Sequence, residues 1–175
     1  MNLITSIETD RCILQLLCSN DIEEAVELFT NSDTRKYLGG PISRDGAIKR
    51  LNRCLEEKKT IFFWKIYYCV RLKDNGKFIG IVSITPHHNL LYKELSYQFL
   101  PNFWGKGYAY ETINSIIHHY KNNYKVLSRL VSETQTANIK SCKLLEKLGY
   151  KLHKKLERFG CEQSLYVFNL RTLVK

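Results

Sequence analysis

Long apolar runs are missing from this sequence of 175 residues. None reaches the ~20 residues that a membrane-spanning helix needs, and the longest, over 61–70, is interrupted by Lys65. Proline is scarce, at three, so breaks between elements must be read from glycine and asparagine. Tandem repeats and low-complexity tracts are absent, which removes solenoids and linker arrays. Six cysteines occur, at 12, 18, 54, 69, 142 and 161, with no C-x-x-C pair among them. That spacing suits neither a zinc site nor a small disulfide scaffold, so reduced thiols and no metal are expected. Residues 1–10 lack the basic-plus-apolar pattern of a leader, so the expected location is the cytoplasm, with no membrane partner.

Acidic residues are in deficit, 17 against 27 basic, for a net charge of +10. Such a balance suits nucleic acid, an acidic membrane surface, an acidic protein or a polyanionic cofactor, and does not choose among them. The basic residues are dispersed, with small groups at 49–53, 58–59 and 151–155. What the chain does have is 44% apolar residues, enough for a core in one domain spanning 1–175.

Periodicity divides the chain into strands and helices. A first strand is expected over 11–17, then a helix capped by Asn20 with Glu23 as its capping-box partner. Gly39–Gly40–Pro41 marks a break, and a second helix follows over 43–59. Aromatic and β-branched residues make 62–72 a strand. Asp74–Asn75–Gly76 is a hairpin signal into a strand over 77–85, and 93–100 is the next strand. A helix over 107–120, a strand over 126–133, a helix over 139–148 and strands over 151–158 and 163–170 complete the order. The expected fold class is α/β (α+β): a single mixed, mostly antiparallel sheet of about seven strands flanked by about four helices.

Two segments carry chemistry. The first runs from Leu95 through Pro101, Asn102, Phe103, Trp104, Gly105, Lys106, Gly107 and Tyr108 to Ala109: strand, glycine-containing turn, helix start. The first N–H groups of a helix have no intrahelical partner and point outward, and the helix dipole adds positive potential there. Glycines at 105 and 107 let phosphate oxygens approach the backbone, and Lys106 can add charge. A tight turn with a C-cap glycine is the plainer alternative. The second segment is a strand followed by Asn138-Ile139-Lys140-Ser141 and a helix ending Glu146-Lys147-Leu148-Gly149-Tyr150. Asn138 is a natural N-cap, with Ser141 one turn along on the same side.

The turn at 102–109 resembles the coenzyme A-binding motif of the GNAT superfamily of N-acetyltransferases, most of all the RimJ/RimL branch. Asn102 stands where the family often has Gln or Arg. The segment 129–150 resembles the family's later Asn-x-x-Ser motif, and Asp10-Arg11-Cys12-Ile13-Leu14-Gln15 echoes the branch's opening. The resemblance spans nearly the whole chain. It implies the acyl-CoA N-acyltransferase fold, acetyl-CoA as co-substrate, an amine acceptor and direct attack without an acyl-enzyme.

On that resemblance the turn from Phe103 to Ala109 holds the cofactor, with Asn138 on its pantetheine arm. A backbone N–H of Phe99 or Leu100 receives the developing oxyanion. Ser141 is the candidate donor to the leaving thiolate, because the tyrosine that many members carry further along this helix is replaced by Leu144-Leu145. Glu94 can deprotonate the amine through a water; the alternative is a strand-edge charge. Glu111 is expected to order the helix start. Tyr97 and Trp104 line the acceptor side or fill the core. No role is assigned to His87-His88 or His118-His119. The acceptor is left open among a ribosomal-protein N-terminus, an antibiotic, a polyamine and an aminoacyl-type small molecule, its pocket built from 36–43, 62–64 and 87–92. The rival readings are a basic ribosome- or RNA-binding module, disfavoured by the lack of an aromatic–basic recognition motif, and a relative that binds coenzyme A without turnover. The branch implies a monomer or homodimer.

Overall fold

A computed structural model of the chain describes residues 5–57, 65–89, 91–123 and 128–171. Its eight strands are β1 (Ser6–Glu8), β2 (Cys12–Leu16), β3 (Ile66–Leu72), β4 (Phe78–Pro86), β5 (Lys93–Phe99), β6 (Arg129–Gln135), β7 (Lys151–Arg158) and β8 (Cys161–Asn169). The helices are α1 (Ile22–Thr30), α2 (Ser32–Arg35), α3 (Arg44–Glu57), α4 (Tyr108–Asn123) and α5 (Ile139–Lys147), with 3-10 turns at Ser19–Asp21 and Pro101–Phe103. All eight strands form one sheet in the order β1-β2-β3-β4-β5-β6-β8-β7. Every pairing is antiparallel except β5 with β6.

Each face of the sheet carries its own core, and strand alternation feeds both. Along β3, Ile66, Tyr68, Val70 and Leu72 go to the core beneath α4 and α5, whereas Tyr67 and Cys69 go to the one beneath α1 and α3. Helix α4 buries Ile113, Ile116, Ile117 and Tyr120 at helical spacing. Each fully buried aliphatic side chain of this kind contributes roughly 1.5–3 kcal/mol. On the opposite face Ala25, Val26, Leu28 and Phe29 of α1 share a core with Ala47 and Leu51 of α3.

The mixed sheet flanked by helices agrees with the sequence pattern. The eighth strand is β1, a three-residue edge paired with β2 through Ser6–Gln15 to Glu8–Ile13, too short to show a period. The cap of α1 differs from expectation. Asp21, not Asn20, secures this end: its carboxylate accepts the Cys18 N–H at 2.8 Å and pairs with Arg71 at 2.8 Å. Glu23 instead pairs with Arg44 of α3. Asn31 caps α2 by accepting the Thr34 N–H at 3.0 Å. The expected strand segment at 62–64 lies outside the described residues.

One irregularity positions everything that follows. Strands β5 and β6 are paired only at Lys93–Leu130 and Glu94–Val131. Beyond that point they part, and the Ser132 hydroxyl, donating to the Leu95 carbonyl at 2.6 Å, marks the crotch of the fork.

Candidate active site

The Leu100 N–H donates to the Ile79 carbonyl at 2.9 Å. Antiparallel ladders alternate, so the N–H groups of Gln98, Ser96 and Glu94 face β4 with it, and those of Tyr97 and Phe99 face the fork. This corrects the expected donor pair. Leu100 is engaged with β4, and the fork-facing amides belong to Phe99 and Tyr97. Gly80 sets the close approach of the two strands. A Cβ there would lie 2.4 Å from the Gln98 carbonyl and 2.8 Å from the Phe99 ring.

At the end of β5 the chain makes the 3-10 turn Pro101–Phe103, which contains Asn102, and enters the glycine turn. Trp104 folds back so that its indole N–H donates to the Phe99 carbonyl at 2.6 Å. It therefore braces the strand end, with its ring left partly exposed. Gly105 and Gly107 have φ of 72° and 85°, in the left-handed region, where a side chain is strained. Helix α4 begins at Tyr108, and its first intrahelical bond runs from the Glu111 N–H to the Gly107 carbonyl. The N–H groups of Tyr108, Ala109 and Tyr110 thus stand at the open positive end of a 16-residue helix. Nothing lies within 4 Å of a Cβ built on Gly105. Open space above glycine and unclaimed helix-start amides fit a pyrophosphate.

A brace from the other end of the chain fixes this turn. The Arg11 guanidinium donates to the Lys106 carbonyl at 3.0 Å and to Glu111 at 2.7 Å, and lies 4.4 Å from the centre of the Tyr108 ring. Glu111 also accepts the Thr9 hydroxyl at 2.6 Å and the Arg11 N–H at 2.8 Å. Burial works against the Glu111 charge, but the bonds from Thr9 and Arg11 outweigh it and hold the carboxyl below its ordinary range. The expected ordering role of Glu111 has its structural basis here. Thr9 and Arg11 gave no sign of it, because they meet Glu111 across about 100 residues of chain.

Across the fork stands α5. The Asn138 side chain caps it by accepting the Ser141 N–H at 3.3 Å, as the Asn-x-x-Ser spacing requires. The Ser141 hydroxyl meets the Tyr97 hydroxyl at 2.6 Å. Burial pushes the Tyr97 phenol up to about 12, against the opposing effect of its Ser141 bond. The phenol therefore stays protonated at neutral pH and remains a donor. The Ser141–Tyr97 pair presents a hydroxyl proton on the fork's second wall, and Cys142 beside it points into the core.

Glu94 lies at the closed end of the fork. Burial raises its carboxyl above the ordinary range, with His87 opposing and Glu133 adding to the shift. Around it is a cluster that the sequence reading left without a role. His87 Nε2 is 3.4 Å from a Glu133 oxygen, and Arg158 Nη1 lies 3.1 and 3.2 Å from the two oxygens of that carboxylate. The same guanidinium nitrogen donates to His88 Nδ1 at 2.7 Å. His87, His88 and Glu133 have the donor types of a metal site. The Arg158 cation already stands among them, and a second cation would be repelled. Of the other expected acceptor walls, 36–43 is shaped by Arg35, whose guanidinium donates to the carbonyls of Gly40, at 3.0 Å, and Leu38. Residues 62–64 and Leu90 lie outside the described residues.

The family model of the acetyltransferase (GNAT) domain matches residues 11–151. A Bacillus subtilis (strain 168) protein described as the uncharacterized N-acetyltransferase YoaA is 26% identical over 176 residues, covering 97% of this chain and 96% of that protein. A GNAT-family acetyltransferase from Bacillus anthracis superposes with a TM-score of 0.80 at 19% identity, covering 94% of this chain and 98% of that one. RimL, a ribosomal L7/L12 alpha-N-protein acetyltransferase solved in complex with coenzyme A, superposes with a TM-score of 0.79 at 14% identity, covering 94% and 97%.

Proposed function

The chain belongs to the GNAT acetyltransferase family, and from that premise we propose that it transfers an acetyl group from acetyl-CoA to a primary amine of a protein N-terminus or small molecule, by direct attack in a ternary complex. The observation that carries this reading is the fork between β5 and β6, with the glycine turn at its mouth and the Ser141–Tyr97 hydroxyl pair on its wall.

Acetyl-CoA supplies the activated acyl carbon. Its pyrophosphate suits the amides at the start of α4, in the turn that runs from Asn102 through Phe103, Trp104, Gly105, Lys106 and Gly107 to Tyr108 and Ala109. Asn138, at the head of α5, suits the pantetheine arm. The Phe99 and Tyr97 N–H groups face the fork and can receive the oxyanion. Ser141, with Tyr97 behind it, donates to the leaving sulfur; a thiol with a pKa of roughly 8.5 needs only that much help. Glu94, at the closed end, supplies negative charge toward the incoming amine and can take its proton through a water.

The acceptor class is tested by following free thiol with a panel of N-terminal peptides, polyamines, aminoglycosides and amino-acid amides. Peptides stand first in that panel because the RimL neighbour acts on a ribosomal protein. Multiple turnovers with one class support the reading and name the acceptor. Cofactor binding without turnover on any of them favours the non-catalytic alternative. The location that goes with this reading is the cytoplasm. Among the described residues no helix is long and apolar enough to cross a membrane.

A further inference from the structure

Strands β7 and β8 join through a two-residue turn, Phe159–Gly160, with Arg158 paired to Cys161 across it. Phe159 has φ of 56° and Gly160 φ of 73°, the two positive values of a type I′ turn, whose first position favours asparagine, aspartate or glycine. Among the described residues Phe159 is the one residue other than glycine in the left-handed region, where a bulky side chain is an outlier. It is also 78% exposed, so no burial offsets the strain. Backbone strain of this kind clusters at ligand clamps and active sites.

The ring's position joins it to the fork. One face rests on the Arg158 guanidinium, 4.4 Å from the ring centre. The same guanidinium reaches Glu133 of β6 at 3.1 and 3.2 Å, and the charges of Arg158 and Glu133 both act on the Glu94 carboxyl. Tyr97 of β5 and Leu130 of β6 pack toward α4 and α5. Strand alternation therefore puts Glu94 and Glu133, each an odd number of residues away, on the opposite face of the sheet. The thiol of the cofactor meets Ser141 on the α5 side, which leaves the face of Glu94, Glu133 and Arg158 for the acceptor.

We propose that Phe159 is an acceptor-binding residue whose open face takes an apolar side chain near the amine that is acetylated. This rests on the acetyltransferase reading above and narrows its acceptor class. The amine goes toward Glu94. Arg158 and Glu133 stand between Glu94 and the ring, so the group that reaches the ring belongs to the second residue of a peptide, not to the carbon that bears the amine. Arg158 lies against the ring, and Lys154 shares its face of β7, paired with Leu165 as Glu133 is. A second positive charge at the ring is therefore repelled. Polyamines and aminoglycosides are accordingly poor acceptors, and a peptide with an apolar second residue is a good one.

The test compares the full chain with Phe159→Asn, which supplies a residue the turn favours, and Phe159→Tyr, which keeps the ring. Glycyl-leucinamide and glycyl-serinamide carry the same amine and differ only in the second side chain. The unsubstituted chain and Phe159→Tyr should favour the leucine acceptor by about tenfold in kcat/KM, the order of a small apolar contact. Phe159→Asn should lose that preference, keep its acetyl-CoA affinity and gain roughly 2–4 °C in Tm as the strain is relieved. NMR of the chain loaded with coenzyme A and carrying carbon-labelled phenylalanine gives a second readout. The Phe159 ring signal, identified by its loss in Phe159→Asn, should move when glycyl-leucinamide is added. No preference in the unsubstituted chain, a preference that survives in Phe159→Asn, or a ring signal that does not move would each overturn the assignment. A lower Tm in Phe159→Asn would also overturn it, and would make Phe159 a brace for Arg158. If the unsubstituted chain releases no thiol with either dipeptide, peptide acetylation fails, and the ring signal still decides whether Phe159 binds the acceptor.

Discussion

The hydroxyls of Tyr97 and Ser141 lie 2.6 Å apart, one on a strand and the other on a helix 44 residues later. This bond spans the two sides of the fork and couples the strand that offers backbone donors to the helix that offers a hydroxyl. Ser141→Ala should lower kcat ten- to hundredfold while leaving acetyl-CoA affinity within about twofold. Tyr97→Phe should do less, since Ser141 keeps its own proton. The double variant should show a coupling of roughly 0.5–3 kcal/mol in kcat/KM, as expected for residues in direct contact. Equal losses in kcat and cofactor affinity would make Ser141 a binding residue.

Gly107→Val should abolish measurable acetyl-CoA binding. Gly107 has φ of 85°, and a Cβ there would meet Arg11 Nη2 at 3.2 Å. Gly160→Val is the control, because Gly160 has φ of 73° with open space around it. Both variants carry backbone strain of roughly 1–3 kcal/mol. Calorimetry should find the cofactor lost only in Gly107→Val, and parallel loss in both would make the effect one of general destabilisation.

Glu94→Gln tests charge at the closed end of the fork. A carboxyl raised by burial holds its proton more tightly when folded than when unfolded. The cost of its charge is therefore absent below the unfolded value of roughly 4.3 and grows as pH rises through the folded value. The variant should raise thermal stability at neutral pH, and the gain should vanish below pH ~4. Its rate loss should be larger for a lysine-type amine, with a pKa of roughly 10.4, than for an α-amine near 8. A uniform loss across acceptors would argue against a role in deprotonation.

Glu111→Gln should loosen the glycine turn from the outside. The Glu111 carboxyl is held below its ordinary range, against burial, by Thr9 and Arg11. The stabilisation is therefore present above roughly pH 4.3 and lost as pH falls through the lowered folded value. Thermal unfolding should show the parent chain and the variant converging in strong acid and separating at neutral pH. Acetyl-CoA affinity at pH 7 should fall several-fold, through release of Arg11 from the turn it braces at the Lys106 carbonyl.

Much of this could be read from local patterns. The glycine turn, the Asn138 cap and the α4 stripe each lie within a few residues of chain, where spacing alone dictates geometry. The features that escaped are all long-range. Arg11 and Glu111 gave no period connecting them, and nothing in the spacing of Trp104 announced the bond from its indole to the Phe99 carbonyl. Leu100 looked equivalent to Phe99 because strand register decides which amide faces a neighbour, and register is set by pairing with β4. The His87–Glu133–Arg158 group joins three elements, the turn after β4, β6 and β7. Adjacent histidines alone carry no information about that meeting.

Strands β1 to β5 follow one another in the sheet in the order in which they occur in the chain, and the remaining three form a second antiparallel set. Two paired residues on each strand join these sets. The first set is therefore complete in the nascent chain once Phe99 has been made, while the far wall of the fork is still unsynthesised. A molecule lodged in the fork then touches both sets at their narrowest junction. Its binding energy is added where the sheet has least of its own, so occupancy resists separation of the two halves more than it stiffens either one.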